Sequence, residues 1–340
     1  MSTLNEAISQ CEAALARNPA DIAALNQLAM LQASEGKHGE ALSHISSALK
    51  LSPNHPLLHY NLGQVHGSAA RYEEEIKAYQ QAITLKPDFV EAHVNMGVAL
   101  RDLQRFDEAF EAFKQALRIN PDHPGARTNR AQTNLVLGNF EHGWREYEWR
   151  WQDGHQNHAI KGPRWNGKTS LKDKRLLIHA EQGLGDTIQF VRYLDLLKDT
   201  GATIILRVQP PLAGLLRDCP GADVVVDTDM PLPAFDFHIP LLSLPHALYS
   251  RNPSIPACPY YLHASPEKVS QWTAWLDLKL QDNLDKQASA RTKKSLNVGL
   301  CWSGNMHQLN DKNRSLLLAQ WSPILAQDCT FVSLQDRKSV

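Results

Sequence analysis

Pro19, Pro53, Pro87 and Pro121 stand 34 residues apart, and this period limits what the first half of the chain can fold into. Other columns keep the same step: Ala14, Ala48, Ala82 and Ala116; Leu15, Leu49, Ile83 and Leu117; and Leu28, Leu62 and Met96, each followed by a small residue, Ala29, Gly63 or Gly97. A fixed period of this length marks stacked supersecondary units that cannot bury their apolar faces alone. The spacing predicts two antiparallel helices per unit. The small residues let the helices approach, and the larger column Ile45, Tyr79, Phe113 and Tyr147 fills the space between units. The proline lacks an N–H and ends each pair. Asn54 or His55 before Pro56, and Asp122 or His123 before Pro124, restart the next helix by capping with Pro at its first position.

This pattern resembles the tetratricopeptide repeat. Full units span 22–55, 56–89 and 90–123, half a unit (4–19) precedes them and a divergent one (124–153) follows, giving a repeat domain over 1–153. Such units stack into a superhelix with a concave face. Gln27, Asn61, Asn95 and Asn129 also recur every 34 residues. A side-chain amide donates and accepts at once, so this column either grips the backbone of an extended peptide or bonds between neighbouring helices. It resembles the asparagine ladder of O-linked N-acetylglucosamine transferases. The preceding column (Asn26, Tyr60, Val94, Thr128) lacks lysine, which argues against a clamp for an acidic C-terminus. In the divergent unit, Trp144, Tyr147 and Trp151 lie at helical spacing, as in a cap that docks onto the next domain.

Beyond a polar joint (154–168) the periodicity changes. RLLIHA (175–180), TIILRV (203–208), DVVV (223–226) and FDFHIP (235–240) read as strands, with helices over 187–198 and 211–218. The β-α-β order predicts a parallel sheet with helices on its faces, in a domain over 169–278 that ends with a helix from 265. Residues 279–296 carry no apolar period and read as a flexible loop. NVGLCW (297–302) and TFVSLQ (330–335) read as strands of a further segment, 297–340.

Trp165, LLIHAEQGLGDTIQFVRYL, HIPLLSLPHAL, PYYL and VGLCWSGNMHQLNDKNRSL follow one another in order. Together they resemble the glycosyltransferase-like region found after tetratricopeptide repeats in bacterial proteins, which is similar to lipopolysaccharide heptosyltransferases of the two-Rossmann-domain GT-B fold. The resemblance implies a tetratricopeptide repeat superhelix followed by an α/β Rossmann-like GT-B half. Only 44 residues remain from Asn297, so the second half reads as incomplete and the chain as a shortened version of a longer protein. It implies transfer of a sugar from a nucleotide-sugar, as co-substrate and without a further cofactor, to a protein or glycan acceptor held by the repeats. The alternative is a non-catalytic protein-interaction scaffold with an inactive transferase part.

Sugar transfer needs a base for the acceptor hydroxyl and donors for the departing diphosphate. By resemblance Asp186 matches the proposed base; the competing role is a helix cap. Glu181 and Gln182 either contact the acceptor or shape the turn, and Gly183, Leu184 and Gly185 let substrate approach the backbone. Ser303, Gly304, Lys312, Arg314 and Ser315 read as diphosphate contacts by the same analogy or as a solvated basic loop. His179 reads as a core histidine. Asp227-Thr228-Asp229 is a DxD-like pair that reads as a solvated loop, and no metal site is expected.

Lys and Arg total 35 against 36 Asp and Glu, a net charge of −1 that gives no footprint for nucleic acid. No apolar run reaches the roughly 18 residues of a membrane span. The N-terminus lacks the pattern of a secretion signal, and the five cysteines form no CxxC pair. A reducing cytoplasm is the expected location.

Overall fold

A computed structural model describes residues 2–152, 160–257, 261–286, 296–301, 315–327 and 329–334. The chain packs as two compact units, Met1–His263 and Ala264–Val340.

The first unit opens with α1 (Ser2–Arg17). Helix pairs follow: α2 (Ile22–Ser34) with α3 (His38–Leu51), α4 (Pro56–Ser68) with α5 (Tyr72–Leu85), and α6 (Val90–Asp102) with α7 (Phe106–Ile119). These coincide with the units read from the 34-residue period. Asp21 caps α2 by accepting from the Ala24 N–H at 3.0 Å, and His123 Nδ1 does the same for Ala126 at 3.1 Å. His55 makes no side-chain cap, so Pro56 alone opens α4.

The small and large columns meet inside each unit, and the large column also packs between units, since Ile45 shares a cluster with Leu58 and Leu62 of the next unit. A Cβ on Gly63 would lie 2.5 Å from the Tyr79 ring, and one on Gly97 would lie 2.5 Å from the Phe113 ring. Each ring of the second helix lies over the glycine of its own first helix, where no side chain competes for the volume. Ile45, Tyr79 and Phe113 are almost fully buried. Each such side chain contributes about 1.5–3 kcal/mol.

The divergent unit forms α8 (Pro124–Val136), α9 (Phe140–Tyr147) and a 3-10 turn, Glu148–Trp151. It does not end in solvent. Trp144 and Tyr147 share one buried cluster with Trp165, Leu176, Ile178 and Phe190 of the α/β part. Trp144 meets the Phe190 ring edge-on at 5.6 Å. Trp165, in the stretch expected to be a linker, is buried at 2% exposure and donates its backbone N–H to the His238 carbonyl. Indole burial outweighs the polar character of its neighbours.

The sheet contains β1 (Arg175–His179), β2 (Thr203–Val208), β3 (Val224–Asp227) and β4 (Phe237–Pro240), all parallel in the order β3-β2-β1-β4. Leu177 pairs with Ile205 on one side and His238 on the other. Successive crossovers run from β1 to β2 to β3, then β4 returns beside β1, so the strand order reverses between β1 and β4. The helix expected at 187–198 begins earlier, as α10 (Leu184–Phe190), and continues as a 3-10 helix over Val191–Thr200. Val191, Leu194 and Leu197 are buried at a spacing of three, which matches three residues per turn. Farther along lie a short helix α11 (Pro210–Ala213), a 3-10 turn over Leu241–Ser243 and α12 (Leu244–Leu248).

In the second unit α13 runs from Pro266 to Lys286. It therefore passes through 279–286, where a loop was expected. KLQDNLDK has no apolar period, but it also has no Gly or Pro to stop a helix. Trp272 and Trp275 meet edge-on at 5.3 Å. β5 (Leu296–Leu300) pairs in parallel with β6 (Cys329–Ser333), with a short helix α14 (Ser322–Leu325) before β6. Among the described residues no helix is long and apolar enough to cross a membrane.

Candidate functional site

The carboxyl ends of β1 and β4 flank the point where the strand order reverses, the usual position of a ligand crevice in an open parallel sheet. From the repeat cap, Arg150 enters this point. Its exposure is 4%, and its five N–H groups are all used. Nε and Nη2 donate to the two Glu181 oxygens at 3.0 and 2.9 Å, and Nη2 also donates to Ser243 Oγ at 2.7 Å. Nη1 donates to the Tyr147 carbonyl at 2.9 Å and to Glu148 at 3.0 Å. The guanidinium lies over the Tyr147 and Trp151 rings at 4.6 and 4.9 Å.

Glu181, read either as an acceptor contact or as a shaper of the turn, commits its carboxylate here. Its side chain is 2% exposed, and Oε1 also accepts from the Leu242 N–H at 3.0 Å. Burial pushes its carboxyl up, while the Arg150 and Leu242 bonds oppose that. Burial works against the Arg150 charge too, but Glu181 and Glu148 outweigh it and hold the guanidinium above its ordinary value. Gln182 donates to the Tyr147 hydroxyl at 2.9 Å, and its carbonyl accepts from Gln209 at 2.7 Å. Both side chains thus join the repeats to the sheet.

Gly183, Leu184 and Gly185 are exposed, and a Cβ on Gly185 would meet nothing within 4 Å. Asp186 Oδ2 accepts from the Gly183 N–H at 3.0 Å, the return half of a capping box. Oδ1 of Asp186 has no hydrogen-bond partner among the described residues. Ser303, Gly304, Lys312 and Arg314 lie outside the described residues; Ser315 lies among them, half-buried.

Beside this joint is a cavity of about 270 Å³ lined by Glu148, Arg164, Trp165, Asn166, Ser243 and His246, among others. Arg164 pairs with Glu148 and donates to Ser243 Oγ at 2.8 Å, so one buried hydroxyl accepts from two guanidinium groups. His179 faces His238 at 3.3 Å between ring nitrogens. Burial, with His238 alongside, lowers its pKa to about 4. Asp227 Oδ1 accepts from the Asp229 and Met230 N–H groups, so this carboxylate shapes its own turn. Among the described residues no three His, Cys, Asp or Glu side chains gather to hold a metal.

In the amide column, Asn61 donates to Asn26 Oδ1 at 2.7 Å and Asn95 to the Tyr60 hydroxyl at 2.9 Å, both one repeat back. Asn61 is buried. Asn129 donates to the Gly125 carbonyl and accepts from Arg101 at 3.1 Å, so both ends of its amide are used. Gln27 is exposed. The structure thus gives Asn61, Asn95 and Asn129 bonds to neighbouring helices and leaves Gln27 as the exposed member, with Asn95 and Asn129 half-buried.

Two groups escaped the sequence reading. His59 and His93 bond through Nε2 to the carbonyls of Pro53 and Pro87 at 2.7 and 3.0 Å, and Arg127 donates to Pro121 at 2.9 Å. Their 34-residue step was a usable signal. Arg150 carried none, since its partners Glu181 and Ser243 are remote in sequence.

The stacked helix pairs and their glycine–ring packing define a helical-repeat protein. Residues 21–88 and 90–123 match the tetratricopeptide repeat family, so this stretch consists of tetratricopeptide repeats. Protein FlbA of Caulobacter vibrioides is 26% identical over 228 residues, covering 61% of this chain and 36% of FlbA. The chain thus spans about a third of that relative's length. Among solved structures, PilF of Pseudomonas aeruginosa is 23% identical with a TM-score of 0.42, covering 46% of this chain and 71% of PilF. A MamA structure is 19% identical with a TM-score of 0.40, covering 44% and 87% of the two chains. YrrB, described as a tetratricopeptide repeat protein with an unusual peptide-binding site, is 22% identical with a TM-score of 0.37, covering 45% and 80%.

Proposed function

We propose that this chain is a protein-interaction scaffold in which the repeats hold an extended segment of a partner. The observation that carries this reading is the run of tetratricopeptide repeats over 21–123, with an exposed amide at Gln27 and a half-buried one at Asn95. The bond from Asn95 to Tyr60 fixes its amide by the donor end and leaves its carbonyl oxygen for a peptide N–H. A peptide array overlaid with the full chain tests this. Sequence-tolerant binding that weakens in Gln27→Ala and Asn95→Ala supports it. Binding indifferent to both changes overturns it.

A second reading has its own support at Asp186. This carboxylate lies beyond the carboxyl end of β1, next to the exposed Gly183–Gly185 backbone, and Oδ1 is uncommitted. A free carboxylate lone pair is what proton abstraction from an acceptor hydroxyl requires. In this reading the α/β part is a GT-B-like half and sugar passes from a nucleotide-sugar to an acceptor held by the repeats. Ser303, Gly304, Lys312, Arg314 and Ser315 would face the donor diphosphate. Titration of a nucleotide-sugar panel against the full chain, followed by transfer assays of wild type and Asp186→Asn, tests it. No donor binding by any member of the panel sinks this second reading and leaves the first standing.

A further inference from the structure

The repeats contain a second recognition feature that their packing does not require. A groove of about 410 Å³ is lined by α6 along its floor and by α7 at its rim, with Gln80 of α5 also lining it. The floor carries His93, Met96 and Leu100, and the rim carries Asp107, Glu108 and Glu111. These three carboxylates are exposed, and none of the lining side chains is a Lys or Arg, although Arg105 and Lys114 reach Glu108 and Glu111 from beside the rim.

The period shows that the fold does not demand this chemistry. One repeat earlier, Leu100 is replaced by His66 and Glu111 by Lys77; two repeats earlier the same columns hold Gln32 and Ser43. The packing columns repeat, but only the third unit combines an apolar floor with a full acidic rim.

A separate observation points to a missing donor. His93 is 8% exposed, and its Nε2 donates to the Pro87 carbonyl, which leaves Nδ1 as the acceptor of the neutral ring. That buried Nδ1 has no hydrogen-bond partner. Buried acceptors are normally satisfied.

We propose that this groove binds a lysine- or arginine-bearing segment of a partner polypeptide. The methylene stem covers Met96 and Leu100, as long cationic side chains cover apolar surface. The cationic head lies among Asp107, Glu111 and His93. Glu108 already accepts two bonds from Arg105, at 2.7 Å each, and contributes field only. Lys114 pairs with Glu111 at 3.1 Å, but both are about two-thirds exposed. Such a pair contributes little, so an incoming cation displaces Lys114 easily. This surface goes beyond the amide column.

The probe is a labelled, end-blocked 12-residue peptide of alternating Lys and Leu, with a Glu-for-Lys counterpart, titrated against the full chain by anisotropy. The Lys peptide is expected to bind and the Glu peptide not. Affinity should fall about tenfold in Asp107→Asn/Glu111→Lys and weaken with added salt, while Asn95→Ala leaves it unchanged. A methyl shift at Met96 on binding, read by NMR, places the peptide in the groove. Equal affinity for the charge-altered variant, no binding of the Lys peptide, or a loss that tracks Asn95→Ala overturns the proposal. The last outcome would assign the peptide to the amide column.

Discussion

Arg150 and Glu181 form a two-point buried ion pair, at 3.0 and 2.9 Å, between the cap of the repeats and the first turn of the sheet. Ser243, Glu148 and the Tyr147 carbonyl take the remaining guanidinium donors. Lysine offers three donors from a point and cannot reproduce this planar set. Leaving either charge buried without its partner costs about 3–5 kcal/mol. Arg150→Lys and Glu181→Gln are therefore expected to lower unfolding free energy in urea strongly. Arg150→Met/Glu181→Leu should cost clearly less than the sum of the single Arg150→Met and Glu181→Leu changes. Additivity within about 0.5 kcal/mol would show that the pair is not coupled.

The glycine–ring contacts predict a size dependence. Gly97→Ala places a methyl 2.5 Å from the Phe113 ring and should cost about 1–3 kcal/mol. Phe113→Leu in the same chain should recover part of that loss. Thermal melts of the two single variants and the double variant decide the matter, and a Gly97→Ala melt unchanged from wild type would refute the steric reading.

His179 sets a pH dependence. Burial lowers its folded-state pKa to about 4, below the unfolded value of about 6.5. Above that unfolded value both states are neutral and the full stability is present. As pH falls from about 6.5 towards 4 the unfolded chain gains the proton first, and stability falls by up to about 3 kcal/mol. His179→Gln removes this titration. Denaturation curves between pH 7 and pH 4 should be flatter for the variant; parallel curves would contradict the assignment.

Asp186 allows its structural and chemical roles to be separated. Asp186→Ala loses the bond to the Gly183 N–H and is expected to cost about 0.5–2 kcal/mol. Asp186→Asn keeps an acceptor and should cost less, yet it removes the base. Transfer activity abolished in Asp186→Asn at near-normal stability assigns chemistry to the carboxylate. Equal activity in wild type and Asp186→Asn leaves the cap as its role.

The repeats were legible because their determinants lie within 34 residues of one another. A proline stop, a glycine and the ring that covers it belong to one unit, so the period alone placed the helices at 22–123. The strands at 175–180 and 203–208 were legible as short apolar runs between turns. The 3-10 stretch after α10 is not legible in the sequence, because spacings of three at Val191, Leu194 and Leu197 also fit one face of an α-helix. The continuation of α13 to Lys286 is not legible in the sequence, because a polar helical stretch shows no apolar period.

The amide column shows where sequence pattern reaches its limit. The 34-residue step established that Gln27, Asn61, Asn95 and Asn129 occupy equivalent positions. It could not establish that Asn61 bonds Asn26 while Asn129 is used at both ends, because those bonds depend on how neighbouring units stack. The turn 181–186 behaves likewise: the glycines and Asp186 showed a strand-to-helix turn, but which side chains stayed free was settled across the fold.

The sequence by itself determined the repeat architecture and the parallel α/β order, since local spacing dictates which faces are apolar. Only the tertiary structure decided that Arg150, Glu181 and Ser243 form one buried cluster joining the repeats to the sheet. Residues 31 and 93 positions from Arg150 meet there. Their charges are tolerated because each guanidinium N–H finds a partner, a condition of three-dimensional packing that no local pattern encodes.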